Sequence, residues 1–185
     1  MGRYEDKLDQ ALQYLKEPSR LSPTGYSPIV YLVYQPEDVM AVRNLADTFL
    51  PSKAEFYGLK THFVSIGELI DHYINHHGYQ EIWASPSVNE ESLYNSIRQE
   101  IVSEECLEKA IIEVQEEHLA DGNALLVIRD LEMLHPFRMM GVIENNIYNQ
   151  IKVPILVLYP GETMGTARSF LAIYNQDGNY RSINF

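Results

Sequence analysis

Several residues have types and spacings that could do chemistry. His72 and His76 stand four apart in a stretch with a helical pattern. At that spacing two imidazoles on one helix face can share a Zn²⁺. His62 and His77 are near in sequence, yet no third ligand stands at a defined spacing and no Glu sits where a zinc-protease motif needs one. A solvated helix end is the simpler reading. An apolar run, Ala124-Leu125-Leu126-Val127-Ile128, stops at Arg129-Asp130. An acid there can help to hold a nucleotide's Mg²⁺, which needs a phosphate loop after the first strand. That turn reads Tyr34-Gln35-Pro36-Glu37. It has no glycine to let the backbone approach a phosphate, no Lys, and an acid that would repel one. The sequence therefore argues against a P-loop and leaves, at most, a degenerate nucleotide site near Asp130.

His135 precedes Pro136-Phe137 with no nucleophile or orienting acid beside it. Ser85, Ser87 and Ser169 lack the Gly-x-Ser-x-Gly setting of a hydrolase elbow. No catalytic residue, metal ligand set or cofactor is assigned. Charge gathers at Arg129, Asp130, Glu132 and Arg138, beside Phe137, Tyr159 and Pro160. Two readings stand side by side. The charges either pair with one another and fix a loop, or form a docking surface anchored by the apolar residues.

The elements that must position these residues lie in 124–161. The stretch reads as strand, loop, helix (139–149) and strand (153–159). Both apolar runs lack polar alternation, as strands buried on both faces do. The helix supplies the crossover that a parallel pair requires. Both strands then end at one edge, with loops 130–138 and 160–166 where open α/β sheets receive ligands and partners. Residues 28–34 read as the first strand and 61–66 as another. Helices are expected over 4–16, 37–49 (stopped by Pro51), 69–75, 90–102 and 104–119. Ile82-Trp83-Ala84 reads as a short strand or as core padding. At the end, 168–174, a turn at 175–179 and 180–185 read as a hairpin.

The expected fold is a single three-layer α/β domain over 1–185. A mostly parallel sheet is flanked by helices, like the core of a P-loop NTPase without its phosphate loop. An N-terminal helix covers 1–17, the α/β core 28–161, and a C-terminal antiparallel hairpin 167–185.

Composition narrows the function. The chain of 185 residues carries a net charge of −12, which opposes a grip on nucleic acid through phosphates. Cys106 is the lone cysteine, so neither an internal disulfide nor a cysteine cluster can form. No apolar run approaches the ~20 residues that span a bilayer. The charged start, Met1-Gly2-Arg3-Tyr4-Glu5-Asp6, leads into no signal-like block. A cytoplasmic protein is expected.

The ordered elements also resemble a known family. Arg129-Asp130, then His135-Pro136-Phe137-Arg138, then Pro154 to Tyr159 with Pro160-Gly161-Glu162, look like the BrxB component of BREX phage-defence systems. Phe170-Leu171 and Asp177-Gly178-Asn179-Tyr180-Arg181 resemble that family's closing hairpin, and Tyr34-x-Pro36 with Ala41-Val42-Arg43 its first strand and helix. The resemblance implies a small non-catalytic accessory protein of the cytoplasm that partners the alkaline-phosphatase-like PglZ component. It carries no catalytic residues with it. The interaction surface expected at the loop edge is Arg129, Asp130, Glu132, His135, Phe137, Arg138, Tyr159, Gly161, Glu162 and Arg181.

Overall fold

Alternation along three strands builds two cores. In β1 (Ile29–Tyr34) all six residues are buried. Ile29, Tyr31 and Val33 face one side of the sheet; Val30, Leu32 and Tyr34 face the other. β3 (Ala124–Arg129) and β4 (Ile155–Met164) repeat the pattern, with Leu126, Ile128, Ile155 and Val157 on the first side and Leu125, Val127, Leu156 and Leu158 on the second. A strand flanked on both sides and covered on both faces has no polar face to show, so its sequence is apolar throughout. This computed structural model describes residues 2–17, 27–76, 78–85, 87, 89–103, 105–165, 167–174 and 182–185.

The main sheet runs β2 (Lys60–Ser65), β3, β4, β1, β6 (Ile183–Asn184), every neighbouring pair parallel. On one face lie α1 (Arg3–Leu15), α2 (Val39–Thr48) and α3 (Leu50–Phe56). On the other lie α4 (Ile66–His76), α6 (Glu90–Ser103), α7 (Cys106–His118) and α8 (Met140–Ile147). The expected three-layer α/β fold is present. No described helix is long and apolar enough to cross a membrane.

Four expectations need correction. The helix ends near Phe49 as expected, but Pro51 does not end the helical stretch. The chain turns at Phe49 and restarts with Pro51 in the first turn of α3, where its missing N–H is not needed. Residues 82–84 do not add a strand, since α5 (Tyr79–Trp83) is a short helix. β4 does not close at Pro160 but runs on to Met164. The hairpin also forms elsewhere. β4 turns back at Gly165 into β5 (Ala167–Phe170), pairing Gly161 with Phe170 and Thr163 with Arg168. β6 does not return along β5. It lies parallel to β1, with the Phe185 N–H donating to Tyr31 O at 2.9 Å and Val33 N–H to Phe185 O at 3.1 Å. That covers a strand edge that would otherwise stay open. The turn expected at 175–179 lies outside the described residues.

Candidate functional site

The chain reverses at Asp130, just after β3, with a left-handed backbone (φ 61°). This aims its carboxylate across the carboxyl edge of the sheet toward α2. There Arg43 forms an ion pair with Asp130 and reaches Glu132 at 3.4 Å. Arg129 pairs with Asp47 at 2.9 Å, comes within 3.6 Å of Asp130, and lies over the Phe63 ring. Behind them burial, then the charge of Glu132, holds the Tyr34 hydroxyl above its ordinary pKa. The space left among Tyr34, Val42, Arg43, Asp130 and Leu158 is about 10 Å³. That admits about one water. The predicted trio Arg129, Asp130 and Glu132 is therefore brought together, but as part of a filled charge network.

Arg43 and Asp47 complete that network and were not singled out from the sequence. The signal for them is topological. The connection from β1 to β2 must cross β4 and β3, so α2 brings Arg43 from its middle and Asp47 from its last turn to the end of β3.

The second half of the loop opens a cleft. Leu131 and Leu134 are buried, which holds His135 and Pro136 outward. The Tyr174 hydroxyl lies against the His135 ring, 2.8 Å from Nε2. Phe137 stacks on Tyr94 of α6 with ring centroids 5.5 Å apart. With Arg138, Met139 and Phe170, residues 135–137 and Tyr174 line a cleft of about 210 Å³. Its walls are largely aromatic and it opens to solvent.

Several expected surface residues are elsewhere. Arg138 is not a free surface cation. Its side chain is 6% exposed, ion-paired with Glu108, and donates to Ile101 O and Val102 O. Asn146 donates to the same Glu108 carboxylate at 2.9 Å. Arg138 thus ties the loop to α6 and α7, and reversing its charge would set two acids together. Tyr159 is fully buried, edge-on to Tyr31 at 5.6 Å. Gly161 is buried within the β4–β5 pair, whereas Glu162 is exposed. Arg181 lies outside the described residues. The accessible part of the expected surface is Arg129, Asp130, Glu132, His135, Phe137 and Glu162.

The histidines also sort differently. His72 and His76 stack on the outer face of α4, ring centroids 6.0 Å apart, beside an open groove of about 400 Å³. Among the described residues no third ligand converges on them. His77 lies outside the described residues. Cys106 also lines that groove, and burial pushes its thiol up to about 11, so it is neither a ready nucleophile nor a ready ligand. His62 instead meets His118 and Asp121 at the opposite edge of the sheet. Burial, followed by repulsion from His118 and Lys60, lowers the His62 pKa against the pull of Asp121.

A second set that sequence reasoning missed is internal. Arg168 on β5 and Glu144 on α8 are both fully buried and lie 3.4 Å apart. Tyr31 donates to Glu144 at 2.6 Å, and the guanidinium lies 3.5 Å above the Tyr31 ring centroid. Arg168 also donates to Ser182 and Asn184, each at 2.9 Å. This network joins the hairpin, α8, β1 and the final strand.

Compared with family models, curated proteins and solved structures, the chain matches none.

Proposed function

We propose that this protein is a non-catalytic interaction protein of a BREX-type phage-defence complex, docking a PglZ-like component at the carboxyl edge of its sheet. One observation carries the non-catalytic reading. The place where an open α/β sheet receives its ligand holds the Arg43–Asp130–Glu132 network with about 10 Å³ to spare. The BREX assignment rests on the ordered sequence resemblance. The docking surface rests on the neighbouring cleft, whose aromatic walls suit an apolar side chain from a protein partner. The net charge of −12 favours a protein partner over nucleic acid, and a cytoplasmic setting follows from the resemblance.

Co-expression with the PglZ-like product of the same locus is expected to give a complex that survives gel filtration. Recovery of well-folded chain on its own would contradict the proposal.

The rival reading is a degenerate nucleotide site near Asp130. Its carboxylate already faces Arg43, which opposes a Mg²⁺ role. Millimolar ATP with Mg²⁺ is expected to leave the unfolding midpoint unchanged. Binding at a hundred times Kd would add about 2.7 kcal/mol, so a clear rise would revive the nucleotide reading.

A further inference from the structure

We propose that His62, His118 and Asp121 bind one borderline transition-metal dication, Zn²⁺ for preference, at the amino edge of the sheet. This lies at the opposite end of the strands from the proposed docking surface and is independent of it.

The three residues come from two clamped segments. His62 is the third residue of β2, a strand paired residue for residue with β3. His118 is the last residue of α7, and Asp121 follows one turn later, just before β3. Lys60 N–H donates to Asn123 O at 2.9 Å, and Asn123 Nδ2 donates to Gly58 O at 3.1 Å. These bonds fix the turn that carries Asp121 against the start of β2.

The donor atoms all lie within 4.8 Å of one another. Asp121 Oδ2 is 3.1 Å from His62 Nε2 and 3.8 Å from His118 Nδ1. Tetrahedral Zn²⁺ with bonds of about 2.0–2.1 Å sets its ligand atoms roughly 3.3 Å apart. The two spacings to Asp121 are therefore close to what the ion needs. The imidazoles now stack with centroids 3.6 Å apart and planes 20° off parallel. Stacked rings hold their in-plane lone pairs in parallel planes, so binding requires His118, whose side chain is 30% exposed, to rotate well out of the stack until both nitrogens face one ion. A solvent-facing fourth position would remain on the Asp121 side.

The Lys60–Asp121 ion pair does not account for the whole arrangement. Lys60 Nζ lies 3.1 Å from Asp121 Oδ2 and explains that acid. It does not explain two face-to-face imidazoles beside it. His62 Nε2 is buried with no well-aligned hydrogen bond among the described residues, although it points at Asp121. Lys60 is 60% exposed on a flexible stem and can swing aside. It is then a competitor for Asp121, which gives the proposal a distinctive test.

The full chain, purified without a polyhistidine tag and stripped with a chelator, is titrated with ZnCl₂ alone. One Zn²⁺ per chain is expected, and the unfolding midpoint rises with free Zn²⁺. His62→Ala or His118→Ala lowers affinity by more than about tenfold. The His72→Ala/His76→Ala pair leaves it unchanged. Lys60→Gln, an exposed substitution that spares the ligands, tightens binding several-fold by removing the competing ammonium. It decides the matter should a histidine variant fail to fold. The proposal is overturned by no uptake at micromolar Zn²⁺, by uptake that survives loss of His62 and His118, or by a Lys60→Gln affinity no tighter than that of the parent.

Discussion

Glu144→Ala is expected to cost about 3–5 kcal/mol of stability, because it strands a buried cation. Arg168 and Glu144 are both 0% exposed. Removing the carboxylate leaves the guanidinium with Ser182, Asn184 and the Tyr31 ring, none of which carries the opposing charge. It also takes the acceptor from the Tyr31 hydroxyl. Domains of this kind are stable by about 5–15 kcal/mol in all, so the loss is a large fraction. Urea unfolding should show a much lower midpoint with a nearly unchanged slope. The paired variant Glu144→Leu/Arg168→Met should recover most of the loss, since apolar pairs of similar volume replace buried ion pairs well. A single variant within about 1 kcal/mol of the parent would show that the pair is not the buried lock described.

Gly161→Ala is expected to destabilise by about 3 kcal/mol, for a steric reason. A Cβ at this position would sit 2.1 Å from the carbonyl oxygen of Ser169 and 3.1 Å from the Tyr159 ring. The first neighbour is backbone of the paired strand, so no side-chain rotation relieves the contact. The β4–β5 pair must separate, and the same strand carries Arg168 and Phe170. Two consequences follow. The loss should be non-additive with Glu144→Ala, because both act on one network. The aromatic cleft should also change shape, since Phe170 is one of its walls. Near-neutral unfolding of Gly161→Ala would mean that the hairpin tolerates a wider spacing than the structure shows.

How much was legible follows from how local each signal is. β1, β3 and β4 were readable because unbroken apolar runs of strand length have few other uses in a chain with helices between them. The same logic placed Arg129 and Asp130 at a common edge with the loop that begins at Pro160. Pro160 misled because proline commonly ends strands. Here it lies within β4, and its carbonyl accepts from Leu171 N–H at 2.8 Å. Tyr159 was assigned to the docking surface as an apolar anchor beside Pro160. Its register, two residues after Val157, puts it on the buried face beside Tyr31. β6 has only two paired residues and carries no periodic signal. Arg43, Glu108 and Glu144 find their partners through the fold, so nothing near them in sequence announced their roles. The charged edge was thus visible as a composition of residues. Its division into a filled network and an open cleft was not.

The most direct test of the interaction reading is the affinity of the full chain for its PglZ-like partner, with and without the cleft aromatics. His135→Ala/Phe137→Ala removes an exposed imidazole and a half-buried ring from the cleft and leaves the Arg138–Glu108 pair in place. If the cleft receives the partner's anchor, affinity should fall by about thirtyfold or more, the scale of losing a hot spot, with the unfolding midpoint little changed. Undiminished affinity from a folded double variant would contradict docking at this edge, and failure of the parent chain to bind at all would contradict the interaction reading itself.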